Sequence, residues 1–381
     1  MTARIKVGVV GYGNSAKSFH LPFIQAVPDF ELVAILQRSA APSDPATAPA
    51  GSHCTVDFPA IRHHRTSDAF FADANIDLVV VATRNDSHAP LGKLALEAGR
   101  HVIIDKPFAQ STQEADELIQ LAESKGLILT CFQNRRWDGD FQTLRRLKDA
   151  NALGEIKEAE IHYDFENAGA WFPRDQKEYT PGSGMTFGLG THSIDHAMVL
   201  FGRPKSVTAF FRAQRGVESE IEDSFTIMLQ YEGQQRDLLV TVKSCVITIM
   251  SQQLKYIVRG TKGSYFKTQQ RSTCIQEEQI SNGIGPSDPN FGIEPAATNG
   301  ILTTLEEFDA SHQEFDDKTG KYTGHYPTIP GRWLSLYENL AAAIKGTGEL
   351  EVKATQVRDV LHIIELARMS HVQKRTMQCD E

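Results

Sequence analysis

Three clusters of residues are of types and spacings that do chemistry. Gly11-Tyr12-Gly13-Asn14-Ser15-Ala16 fits G-x-G-x-x-G/A. Gly11 permits a tight turn, Gly13 lets backbone approach a pyrophosphate, and Ala16 lets a following helix pack closely. That helix, entered through Asn14 and Ser15, would offer free N–H groups to phosphates. Alone, the pattern is also that of an ordinary turn. Asp105-Lys106-Pro107 follows a short apolar run. A lysine directly after a buried parallel strand sits where α/β proteins bind ligands, the plainer alternative being a surface lysine. His192, Asp195 and His196 spell H-x-x-D-H, which superficially matches a metal-binding helix. Zinc needs a further ligand and a second shell. No third ligand is located, so no metal is expected.

These clusters need elements to position them. Residues 5–10 are an apolar β-rich run that breaks at Gly11, and residues 15–27 predict a helix. The glycine pattern therefore joins a strand to a helix, which favours dinucleotide binding over a plain turn. Strands are predicted at 31–36, 78–82, 101–104 and 127–132, with helices at 91–98 and 113–125 between them. Such alternation implies a parallel sheet covered on both faces. Beyond residue 132 strand-like runs follow one another at 156–165, 206–212, 224–231, 237–243 and 253–259, which favours an antiparallel sheet. Helices are predicted at 141–149 and 191–200, with a long amphipathic pair over 332–374, and residues 282–299 read as a surface loop. The expected fold class is α/β: a Rossmann doubly wound parallel sheet over 1–132, then an α+β domain over 133–381 with a large open, mainly antiparallel sheet.

The second strand ends in Gln37-Arg38-Ser39, where NAD-specific domains carry an acid for the ribose 2′-hydroxyl. Arg38 can instead pair with a 2′-phosphate, with Ser39 as a second donor, unless it is simply a solvated arginine. NADP is the expected cofactor and NAD the alternative. The 381 residues suit two domains, and a net charge of -9 argues against a nucleic-acid partner. Five scattered cysteines, none in a C-x-x-C pair, indicate neither a disulfide framework nor a zinc site. With no signal-peptide pattern and no run of the ~20 apolar residues that span a bilayer, no membrane association and a cytoplasmic location are expected.

Taken with Ala82-Thr83-Arg84-Asn85-Asp86-Ser87-His88, Ala98-Gly99-Arg100-His101-Val102-Ile103-Ile104-Asp105-Lys106-Pro107, Gln133-Asn134-Arg135-Arg136-Trp137-Asp138, Gly190-Thr191-His192-Ser193-Ile194-Asp195 and Gly260-Thr261-Lys262-Gly263, the sequence resembles the Gfo/Idh/MocA oxidoreductases almost end to end. The 133–137 segment looks most like their NADP-dependent scyllo-inositol dehydrogenase branch. The resemblance implies that Lys106, in a segment that is Glu-Lys-Pro elsewhere in the family, reaches between nicotinamide and substrate, and that Thr83, Asn85, His88 and Asp105 border the cofactor. It implies an inositol- or sugar-type substrate met by Lys106, Asn134, Arg135, Trp137, His192 and Asp195. It also implies a homodimer or homotetramer formed through the second sheet.

The family's catalytic segment usually has an Asp four residues before its His, and here that position is Gly188. His192 is suited to take a hydroxyl proton, and Asp195, one helical turn on, is the nearest carboxylate to support it. Lys106, His192 and Asp195 are the expected catalytic residues. Arg135, Arg136 and Asp138 either line the cleft or pair with one another at its rim, and Tyr163 and Trp171 either close over a sugar ring or belong to the core. The leading function is reversible hydride transfer between nicotinamide and a secondary hydroxyl or carbonyl. A non-catalytic NADP-binding regulator and a reductase of a different carbonyl or an imine are the alternatives that Gly188 keeps open.

Overall fold

Val7, Val9 and Val10, Leu78 to Val81, and Val102 to Ile104 are apolar runs with almost no exposure, as a strand covered on both faces must be. In the computed structural model, which describes residues 3–166, 177–269 and 274–379, they form the middle of a six-stranded parallel sheet. Its strands are β1 (Ile5–Val10), β2 (Phe30–Leu36), β3 (Arg62–His64), β4 (Leu78–Val81), β5 (His101–Ile104) and β6 (Leu129–Cys131), in the order β3-β2-β1-β4-β5-β6. A π-helical turn (Ala16–His20) runs into α1 (Leu21–Ala26), and α2 (Cys54–Asp57), α3 (Ser67–Phe71), α4 (His88–Glu97) and α5 (Thr112–Ser124) complete the connections. Ser111 caps α5 by accepting from the Glu114 N–H at 3.2 Å, which satisfies one of the donors a helix start leaves open.

A ten-stranded sheet follows, built from β7 (Ile156–His162), β8 (Ser206–Arg212), β9 (Ser224–Gln230), β10 (Leu239–Ser244), β11 (Gln253–Gly260), β12 (Gly263–Gln269), β13 (Gly300–Thr304), β14 (Glu314–Asp316), β15 (Lys321–Tyr326) and β16 (Met377–Gln378). The order is β14-β15-β13-β12-β11-β7-β10-β9-β8-β16, antiparallel except for β7 beside β10. Phe225, Ile227 and Leu229 alternate inward along β9, the period of a sheet with one core face. Helices α6 (Gly139–Asp149), α7 (Thr191–Phe201) and α8 (Ile275–Ser281) accompany it, and α9 (Leu334–Ile344) and α10 (Ala354–Gln373) precede β16.

The fold class is the one expected, but the division of the chain is not a single cut near residue 132. One unit comprises Met1–Gln133, Gly285–Pro289 and Trp333–Arg358, and the other Asn134–Ile284, Asn290–Arg332 and Asp359–Glu381. The reason is aromatic packing. Trp333 lies against Phe19 and Phe23, and Tyr337 against Phe23 and Phe30, so α9 completes the core of the first unit. Short β3 and the late strands β12 to β16 are absent from the sequence reading. Trp171 lies outside the described residues.

Candidate active site

In the first unit the predicted cofactor residues all follow carboxyl ends of parallel strands: Gly11 after β1, Arg38 and Ser39 after β2, Thr83, Asn85 and His88 after β4, Asp105 and Lys106 after β5. The connections turn to opposite sides between β1 and β4, the kind of point at which open α/β sheets bind ligands. Gly11 has a φ of 103°, and a Cβ there would stand 2.3 Å from the Ala82 carbonyl oxygen. No other residue fits that position. Nothing lies within 4 Å of where a Gly13 Cβ would be, so the turn leaves backbone open to a phosphate. Asn14 is exposed, with its side-chain oxygen accepting from Ser18 Oγ at 3.4 Å, and Ala16 is buried at the start of the π turn. This cradle fits a dinucleotide.

Arg38 and Ser39 are exposed beyond β2. Arg65, just past β3, donates from Nε to the Arg38 carbonyl at 3.4 Å and brings a second guanidinium there. Sequence reasoning missed it because β3 is too short to announce itself. Thr83 Oγ1 lies 2.8 Å from Ser87 Oγ, and Asn85 opens a short 3₁₀ turn (Asn85–Ser87). His88 is buried, with Nδ1 2.7 Å from the Pro107 carbonyl and Nε2 3.1 Å from that of Thr83. The buried ring thus sits between the carbonyls of two loops, which can only accept from it, and this makes His88 a latch behind the expected cofactor edge.

Asp105 is buried and takes bonds from the Lys106 N–H at 2.7 Å and from Ser15 Oγ. His20 Nε2 stands 3.4 Å from Oδ2, the oxygen that Ser15 also reaches, and His20 Nδ1 is 2.5 Å from the Tyr337 hydroxyl. Burial opposes ionisation of Asp105, but the His20 bond and charge, the Lys106 ammonium and the Ser15 hydroxyl outweigh it and hold the carboxyl far below its usual range. Lys106 itself is half-buried. Asp105 accepts from the backbone N–H of Lys106 and so fixes the main chain from which the lysine side chain extends.

The second unit gathers its predicted residues on a 3₁₀ turn (Asn134–Trp137) and on α7. Asn134, Arg135, Arg136, Trp137, His192, Asp195 and His196 are all buried. Arg136 grips Asp195 with two bonds of 2.8 and 2.6 Å, and Arg135 pairs with Asp138 at 3.4 Å and Glu277 at 2.7 Å. Of the two readings left open for these residues the structure has pairing, in the interior: Arg135 with Asp138 as suggested, and Glu277 and Asp195 as partners the sequence did not suggest. Asp195 is correspondingly committed to Arg136 with both oxygens, where support of His192 was expected.

His192 lies 3 % exposed beside the Tyr163 ring, the centroids 6.3 Å apart. Tyr163 is wholly buried, with Lys255 Nζ 3.7 Å from its centroid, and so belongs to the core. His196 stacks on Phe141 at 3.8 Å and sets its Nε2 2.9 Å from the Arg135 carbonyl and its Nδ1 3.1 Å from the Tyr256 hydroxyl. Burial, with nearby Lys255, pushes its pKa well down, so it serves as a neutral structural bridge. The H-x-x-D-H residues form no metal-ligand group among the described residues.

Before α7 runs a second π-helical turn (Thr186–Gly190). Glu222, unnoticed in the sequence, anchors it by accepting from the Thr186 N–H at 3.1 Å and from the Thr186 hydroxyl, while Arg368 holds its other oxygen. At Gly188 an added Cβ would meet only Met185 Sδ, at 3.8 Å. Space for a side chain remains where the family usually carries Asp.

A Rossmann unit with an open glycine cradle and a second unit built on a ten-stranded, mainly antiparallel sheet are the architecture of a nicotinamide-dependent oxidoreductase. Residues 5–133 match the oxidoreductase family with an NAD-binding Rossmann fold, and residues 141–266 match the GFO/IDH/MocA C-terminal domain. The chain belongs to the Gfo/Idh/MocA family of NAD(P)-dependent oxidoreductases, which act on small molecules. It is 37% identical over 378 residues to the uncharacterized oxidoreductase C115.03 of Schizosaccharomyces pombe, covering 98% of this chain and 99% of that one. It is 29% identical over 376 residues to the scyllo-inositol 2-dehydrogenase (NADP(+)) IolW of Bacillus subtilis, covering 99% and 96%. The crystal structure of an oxidoreductase from Bacillus cereus superposes with a TM-score of 0.83 at 25% identity, covering 99% of each chain. No helix among the described residues is long and apolar enough to cross a membrane.

Proposed function

We propose that this chain is an NADP-linked oxidoreductase acting on a secondary hydroxyl or carbonyl of a small polyhydroxylated substrate of the inositol or sugar type. The observation that carries the cofactor preference is exposed Arg38 after β2, with Arg65 at its carbonyl, where an acid would select NAD. The likeness to an NADP-linked inositol dehydrogenase over almost the whole chain supports the substrate class. Bound nicotinamide would supply the hydride acceptor or donor. In the oxidative direction His192 accepts the hydroxyl proton while the Lys106 ammonium stabilises charge developing on that oxygen. Asp195 belongs to the site as the anion that fixes Arg136 and with it the 134–137 turn, and a homo-oligomer formed through the second sheet completes the reading.

The test is calorimetric titration with NADP(H) and NAD(H), followed by turnover on polyols, sugars, ketones and imines. Arg38→Ala should weaken NADP(H) roughly tenfold to a hundredfold, the worth of one or two charge-assisted bonds, and leave NAD(H) nearly unchanged. Lys106→Ala should bind cofactor normally and lose most of its turnover. Equal weakening of both cofactors by Arg38→Ala removes the NADP argument. Tight NADP binding without turnover of any of these compounds favours the regulator instead.

A further inference from the structure

At the outer edge of the first unit, His53, Cys54 and His63 bring one ring nitrogen each and the Cys54 sulfur within 4.8 Å of one another. We propose that these three side chains bind a single transition-metal ion of the zinc class, with water completing a tetrahedron. Two imidazoles and a thiolate form a borderline-soft set that suits Zn²⁺ far better than Mg²⁺ or Ca²⁺. Cys54 Sγ is 4.0 Å from His53 Nδ1, and the usual Zn–S and Zn–N lengths require about 3.6 Å between such ligands. That pair needs a few tenths of an ångström of closure, and His63, whose ligand atom lies within 4.8 Å of both, must draw in by about an ångström at most.

The surroundings are those of a metal centre. His63 sets Nε2 2.8 Å from the Gln37 carbonyl, and His53 sets Nε2 3.3 Å from that of Ser39. A carbonyl only accepts, so each Nε2 carries its hydrogen and each Nδ1 keeps its lone pair. Backbone carbonyls orient metal-binding histidines in this way. Gln37 Oε1 also accepts from the Cys54 N–H at 2.9 Å, which fixes the third ligand from the same segment. His53 Nδ1 meanwhile receives the Thr55 hydroxyl at 2.9 Å and the Thr55 N–H at 3.2 Å, two neutral contacts that an ion displaces. Cys54 and His53 are buried, whereas His63 is partly exposed, so the ion enters and keeps its water on the His63 side.

The full chain, stripped by a chelator, is titrated with Co²⁺ and then Zn²⁺. One equivalent of Co²⁺ should bind and give the near-ultraviolet absorption of thiolate-to-cobalt charge transfer, and Zn²⁺ should abolish that band by displacement. Cys54→Ser should lose the band, and His63→Ala should weaken Co²⁺ at least tenfold. The metal-free variants are first checked for an unchanged melting temperature, and, should either fail to fold, His63→Gln replaces it in the same titration. No saturable uptake by the wild type, or uptake that survives both substitutions, overturns the proposal. The readout needs no substrate or nicotinamide, so it stands or falls separately from the function proposed above.

Discussion

Arg136 and Asp195 show how far a residue's role depends on its partner. The pair is 8 % and 2 % exposed and shares two short bonds. Removing the guanidinium leaves a buried carboxylate without the cation that bonds both its oxygens. Arg136→Ala should therefore cost roughly 3–5 kcal/mol in chemical denaturation, as breaking a buried ion pair typically does. Arg136→Lys should recover only part of it, because an ammonium does not reproduce the forked geometry. A cost under about 1 kcal/mol for Arg136→Ala would show that Asp195 is balanced by other groups.

Among the elements, the π-helical turn before α7 anchors the start of the helix that carries His192. Glu222 holds its first residue at two atoms, and Gly184 packs so closely that a Cβ there would lie 2.2 Å from the Glu222 carboxylate. Gly184 also has a φ of 96°, so no larger residue serves there. Gly188, two residues beyond Thr186, is under neither constraint. Gly188→Asp should then fold and move the melting temperature by less than about 4 °C, the shift that 1 kcal/mol produces in a domain of this size. Gly184→Ala should lower it well beyond that. If the two melted alike, the turn would not be fixed in the way its geometry indicates.

For the whole molecule, two buried carboxyls give stability opposite dependences on pH. Asp105 is held below its usual range, so its contribution is fully present above the unfolded value of about 4 and is lost as pH falls through the folded one. Glu222 is raised, with burial outweighing Arg368 and Thr186, so its contribution is present below its unfolded value and is lost as pH rises through the folded one. Urea midpoints measured from pH 6 to pH 3 should fall less steeply for Asp105→Asn than for the wild type, and more steeply for Glu222→Gln. Parallel curves for all three proteins would mean that neither group is perturbed as described.

Local pattern settled what depends on near neighbours in the chain. The glycine turn, the central parallel strands and α7 were legible because backbone sterics and the alternation of apolar residues act over a few positions, and the strand residues 5–10, 101–104 and 206–212 coincide with β1, β5 and β8. The tertiary structure decided the pairings between distant residues. Arg136 meets Asp195 across 59 positions, Thr186 meets Glu222 across 36, and His88 reaches Pro107 across 19. His63 reaches His53 and Cys54 only because β3 lies beside β2. Residue types state which charges and ligands are available, but burial makes each of them take whichever partner the topology sets beside it, and no spacing along the chain encodes that choice.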